Sequence, residues 1–93
     1  MALSESIEYD KIEVVGQYEH VQVRKATVIK KDGKEISRTF ERYVLQAGML
    51  DASDNLVDTD ISAEPAEVSV ICNAVWTSTV KDAWKANLIA NKP

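Results

Sequence analysis

The stretch VRKATVIKKDGKEISRTFERYV, residues 23–44, decides the fold. At its centre Asp32-Gly33 separates two runs rich in β-branched residues. Both central positions of a two-residue type I′ loop need positive φ, which Asp and Gly tolerate, so the stretch reads as a β-hairpin. Such a loop pairs Lys31 with Lys34 and fixes every later pair by the same sum. Ile29 then faces Ile36, Thr27 faces Arg38, Lys25 faces Phe40, Val23 faces Arg42 and Val21 faces Val44. On the other face Lys30 meets Glu35, Arg24 meets Glu41 and Gln22 meets Tyr43. The two charge pairs are opposite in sign, each contributing about 0.2–1 kcal/mol, and they support the register.

Outward from the hairpin, residues 18–30 continue as its first strand. Residues 7–15 alternate apolar and polar, with a phase slip near Asp10 that predicts a bulged strand or two short pieces. Gly16-Gln17 is the expected turn between them, and the residues before Ile7 are small and polar enough to fray. Gly48 is expected to end the second hairpin strand. The following MLDASDNLVDTDI reads as an exposed acidic loop. Ser62 is the expected N-cap of a helix with Glu64 and Glu67 near its start and Pro65 in its first turn. Val68, Ile71, Cys72, Val75 and Trp76 recur at helical spacing. Thr77-Ser78-Thr79 interrupts them. Thr77 or Thr79 then caps a second segment carrying Val80, Ala83, Trp84, Asn87 and Leu88, with Thr79 and Asp82 at capping-box spacing. The expected architecture is one α+β domain: a small antiparallel sheet of three to four strands, with two short helices or one kinked helix packed on one face. Its parts are a β-rich region at 7–47, an acidic loop at 48–61 and a helical region at 62–91.

The chain has 93 residues, a hydrophobic content of 45% and a net charge of −4, which suits a soluble globule and argues against disorder. There is no basic-then-apolar leader and no long apolar run, so neither secretion by a signal peptide nor a membrane span is expected. Charge is zoned: −4 over residues 1–19, +4 over 20–43, −6 over 44–67 and +2 over 68–93. Unlike zones favour association with a partner or with another copy.

Catalytic and metal chemistry find little support. Cys72 lies on an apolar helix stripe, and its one candidate base, His20, is on a distant strand, so a buried structural cysteine is expected. Set on the EF-hand template, Asp51, Ser53 and Asn55 fill the first ligand positions. Leu56, however, stands where the turn needs glycine, and Ser62 where it needs a bidentate Glu, so no metal or other cofactor is expected. Gly16, Gly33 and Gly48 stand alone and form no phosphate loop. Trp76 and Trp84 are expected in the core. The basic hairpin remains. Arg38, Phe40 and Arg42, with Lys25 beside them, alternate cation and aromatic as a single-strand nucleic-acid platform does. The same arginines could equally cover the core edge with their stems, or meet acidic residues of a second copy.

The segments KIEVVGQYEHVQVRKATVIKKDGKEISRTFERYVL and AEVSVICNAVWTSTVKDAWKANLIA resemble small uncharacterised proteins encoded by tailed phages of marine bacteria. The likeness covers most of the chain and is most specific at Asp32-Gly33 with Ile36-Ser37-Arg38, at Phe40 and Arg42, and at Val75-Trp76-Thr77, Val80-Lys81 and Ala83-Trp84. That family has no assigned activity, so it transfers no site residues. It implies a virion, assembly or host-takeover component, in the virion or the host cytoplasm. The resulting expectation is a non-enzymatic structural or assembly protein that forms homo-oligomers or binds another phage or host protein. The alternative is an accessory protein that binds nucleic acid or another anionic partner through Lys25, Arg38, Phe40 and Arg42.

Overall fold

The computed structural model describes residues 2–92. Three long strands form an antiparallel sheet in the order β1-β2-β3: β1 Leu3–Val15, β2 His20–Lys31 and β3 Lys34–Leu45. A second, two-stranded sheet follows, β4 Gly48–Leu50 with β5 Leu56–Asp58, and then helices α1 Ala66–Val75 and α2 Ser78–Ala90. This is the expected α+β class with the hairpin at its centre. Met1 lies outside the described residues, and β1 begins at Leu3, so residues 3–6 are strand rather than part of a frayed end. They are held there by β2, and the Ala2 backbone N–H donates to Asp32 Oδ1 at 3.0 Å. Both loop residues of the hairpin have positive φ, +53° at Asp32 and +83° at Gly33, as its turn type requires.

The hairpin starts in the expected register, Lys31 with Lys34 and Lys30 with Glu35, and then departs from it. The next pair is Ile29 with Ser37, leaving Ile36 as a bulge. Beyond it Val28 meets Arg38, Ala26 meets Phe40, Lys25 meets Glu41, Arg24 meets Arg42, Val23 meets Tyr43 and Val21 meets Leu45. The expected pairs Arg24 with Glu41 and Lys25 with Phe40 are therefore corrected. A one-residue slip moves every side chain of the strand to the other face. Without the bulge, Arg42 would enter the core beside Val23 while Tyr43 and Leu45 faced water. With it, Tyr43 and Leu45 pack against the core and the arginines stay outside. Exposing one isoleucine, Ile36 at 56%, costs less than desolvating an unpaired guanidinium.

A second bulge lies in β1 between Glu8 and Lys11, so of the bulged strand or two short pieces expected from the phase slip near Asp10 the structure has the bulged strand. It lets Tyr9 pack on the core while Asp10 reaches Arg24 at 2.9 Å.

The helices cover only one end of the sheet. A 12-residue strand spans about 40 Å, whereas helices of 10 and 13 residues span about 15 and 20 Å. The core cluster joins Val21 and Val23 of β2 to Ala47, Val68, Cys72, Trp76 and Trp84. Both tryptophans are buried, and each indole N–H donates to a backbone carbonyl at 2.8 Å, Trp76 to Glu19 and Trp84 to Gly48. The far half of the sheet projects as an arm. The molecule measures 57 × 27 × 22 Å, and its radius of gyration is 17.3 Å, against about 12 Å for a compact chain of this length.

The helical region is two helices. Thr77 Oγ1 accepts from the Val80 N–H at 3.3 Å and caps α2, so the Thr79–Asp82 box does not form. Ser62 does not cap α1. The helix starts after Pro65, whose carbonyl accepts the N–H of Val68 and of Ser69, while the Ser62 N–H donates to Asp60. Gly48 does not end β3, which stops at Leu45, but opens β4. The acidic loop at 48–61 is thus largely a tight β4–β5 hairpin. A Cβ at Gly48 would sit 2.5 Å from the Val57 carbonyl oxygen, so glycine is required for the two strands to approach.

Candidate functional site: the arginine-bearing sheet face

The face of the sheet away from the helices carries the charged side chains. From β3 it presents Arg38, Phe40, Arg42 and Val44; from β2, Gln22, Arg24, Ala26, Val28 and Lys30; from β1, Ser6, Glu8, Lys11 and Glu13. Of the expected partner-binding residues, the structure brings Arg38, Phe40 and Arg42 together and sends Lys25 to the opposite face, where it is paired with Glu41. Arg24 takes the place beside Phe40, its guanidinium carbon 4.4 Å from the ring centroid. The bulge at Ile36 is the cause, because it changes which β2 residues share a face with the arginines.

Arg38 is fully engaged. It donates to Glu35 at 2.8 and 3.1 Å and to Glu8 at 2.9 Å, and Asp10 lies 3.7 Å away. Glu35 is one residue before the bulge and turns toward Arg38 three positions on. The bonds to Glu35 and Glu8 raise the Arg38 pKa further above its ordinary value. The same bond holds the Glu35 carboxyl below the usual carboxylate range. Arg24 binds Asp10 with two parallel bonds of 2.9 Å, and these hold Asp10 below its usual range too. Beneath this layer, Ala26 and Val28 are fully buried although no helix covers them. The side chains of the flanking strands lie over them, as long charged side chains do when the stem packs and the head stays wet.

Arg42 differs. Lys11, Arg24 and Arg42 form one row across all three strands. Lys11 pairs with Glu13 at 3.0 Å and Arg24 with Asp10, but among the described residues Arg42 has no carboxylate within ion-pair distance. Like charges directly opposite on neighbouring strands are unfavourable, so this row favours an anion at its β3 end. A groove of about 350 Å³ runs there, lined by Lys11, Glu13, Gln22, Arg24, Arg42 and Val44 together with Val23 and Tyr43. In the unbulged register Arg38 and Arg42 both lack an acid; in the structure Arg38 meets Glu8 and Glu35, and Arg42 alone of the two is left without one.

The other chemistry-bearing groups serve the fold. Cys72 is fully buried, and that burial pushes its thiol pKa up, the reverse of an activated nucleophile. Tyr43 O–H donates to Glu64 at 2.5 Å, and burial, then that bond, raises its pKa. His20 sits half-buried, edge-on to Trp84 at 4.9 Å. Asp51, the first position of the calcium template, accepts with Oδ1 from the N–H groups of Ser53 and Asn55 and so closes its own β4–β5 turn. Of the other acids in the −6 segment, Asp54 pairs with Lys92 and Asp58 with Lys81, which reduces what the segment offers a partner. Among the described residues no three His, Cys, Asp or Glu side chains converge on a metal position. Among the described residues no helix is long and apolar enough to cross a membrane. No family model matches the sequence, and neither a curated protein nor a solved structure matches it.

Proposed function

We propose that the protein is a small non-enzymatic structural or assembly protein, phage-encoded, that associates with copies of itself in the virion or the host cytoplasm. The observation that carries this reading is the arm. Half of a long sheet extends past the core with both edge strands open, and Leu3, Ile7, Ile36, Phe40 and Val44 stand exposed on those edges. Open edges with apolar side chains are surfaces that pair with further strands unless something blocks them. The engagement of Cys72, Asp51 and Arg38 in the fold supports the non-enzymatic part of the reading. Size-exclusion chromatography with light scattering, over a range of protein and salt concentrations, tests it. Masses above 10.3 kDa that rise with concentration are expected, and a clean monomer at every concentration overturns it.

A second reading, binding of an anionic partner such as a nucleic acid, rests on Arg42, the cation of the row that lacks an acid. It calls for salt-sensitive binding of single-stranded oligonucleotides that Arg42→Ala weakens. Absence of binding at low salt removes it.

A further inference from the structure

The two open edges of the sheet carry complementary patterns. On β3, Phe40, Arg42 and Val44 project from one face in the order apolar, cation, apolar, with Phe40 43% and Val44 52% exposed. On β1, Leu3, Glu5 and Ile7 project from one face in the order apolar, acid, apolar, with Leu3 67% and Ile7 45% exposed. Arg42 and Glu5 are the charged centres of these motifs, and among the described residues neither has an ion-pair partner. Neither edge contains its own complement. On β3 the acids Glu35 and Glu41 are flanked two positions away by Gly33 and Ser37, and by Thr39 and Tyr43. On β1 the one cation, Lys11, is flanked by Tyr9 and Glu13.

We propose that β1 of a second copy adds antiparallel to β3, resting on the self-association reading above and specifying its interface. The register sets Arg42 against Glu5 of the second copy, Phe40 against its Ile7 and Val44 against its Leu3. Antiparallel addition that keeps the left-to-right strand order requires the second copy to be turned over. Its core-side face, which carries Leu3, Glu5 and Ile7, then lies on the same side as the arginine-bearing face of the first. The two faces that must meet are the two on which the motifs lie. The helical heads fall at opposite ends and on opposite sides of the joined sheet, because each head covers only the end of its sheet beside Val21 and Val23. The contact is heterologous: each copy gives one edge and keeps the other, so the series continues rather than closing as a dimer. Main-chain hydrogen bonds supply the affinity, and the single ion pair between apolar neighbours supplies the register.

The test is a charge exchange read by light scattering. Glu5→Arg and Arg42→Glu each place like charges in the contact, and each alone is expected to raise the concentration of half-association more than about tenfold. Both positions are exposed, and circular dichroism checks that each variant keeps the fold. In an equimolar mixture of the two variants, every contact between unlike copies again joins opposite charges, so association is expected to return. It is expected also in the double variant. Wild type that is monomeric at all concentrations overturns both the function and this interface. Wild type that associates while either single variant associates equally well overturns the interface and leaves self-association standing. A mixture that stays monomeric overturns the interface as well.

Discussion

Val21 and Val28 lie on the same central strand and are both fully buried, but different material covers them. Val21 belongs to a core closed by Trp76, Trp84, Val68 and Cys72 from the two helices. Val28 lies under side chains of its own sheet, among them Arg38, which is paired with it across the strands and tied to Glu8 and Glu35. The head is thus a two-layer structure and the arm is a single sheet sealed on one face by an ionic layer. Burial alone does not separate them; the covering atoms do. Apolar packing is lost only when the head unfolds, whereas an exposed ionic layer weakens with salt and acid. The arm's other face and both edge strands, β1 and β3, remain open to further strands.

The largest expected effect is in the head. Trp84→Ala removes a buried indole and its bond to the Gly48 carbonyl, and should cost about 3–5 kcal/mol, measured by urea unfolding. Gly48→Ala forces a Cβ against the Val57 carbonyl oxygen, a backbone atom that cannot swing aside, and should cost about 1–3 kcal/mol by the same assay. The arm should be more forgiving. Deleting Ile36 removes the bulge while keeping Lys30 with Glu35 and Ile29 with Ser37, so the downstream register survives. Stability should change by less than about 1 kcal/mol, and a loss as large as that of Trp84→Ala would erase the distinction between head and arm.

Acid should act on the arm first. The folded pKa of Asp10 is depressed below its usual 3.8, through the Arg24 bond above all, and that of Glu35 below its usual 4.5, through the Arg38 bond. Each therefore contributes stability that is present above those ordinary values and is lost as pH falls through the lower folded values. Amide exchange in the arm should rise in that window before exchange near Trp76 and Trp84 does, and Asp10→Asn should flatten the response. The smallest effect on global stability is expected for Arg38→Ala, because exposed ion pairs contribute little, with greater amide exchange at Val28 but not at Val21.

Local chemistry made much of the fold legible. Asp32-Gly33 announces its turn because few dipeptides tolerate two positive φ values in sequence, and the interrupted stripe at Thr77 announces a break or a kink, which the structure makes two helices. The phase slip near Asp10 shows as a bulge because it disturbs a period of two. The bulge at Ile36 leaves no such mark. Residues 34–44 alternate acceptably in either register, and the two salt pairs of the unbulged one look persuasive. Only the demand of the core for Tyr43 and Leu45, made by helices far along the chain, selects the other.

The candidate site divides in the same way. The composition of Arg38, Phe40 and Arg42 on one strand is plain in the sequence, since side chains two apart share a face whatever the register. Which β2 residues join them, and whether carboxylates meet them, is not. Arg38, unpaired in the unbulged register, has Glu8 and Glu35 at hydrogen-bonding distance, and the uncompensated cation is Arg42. The sequence by itself determined the turn, the helix break and the cations available, because those depend on residues near one another. The tertiary structure alone decided which face each cation occupies and that Arg38, but not Arg42, meets carboxylates, because a strand's register is settled by what its other face must bury.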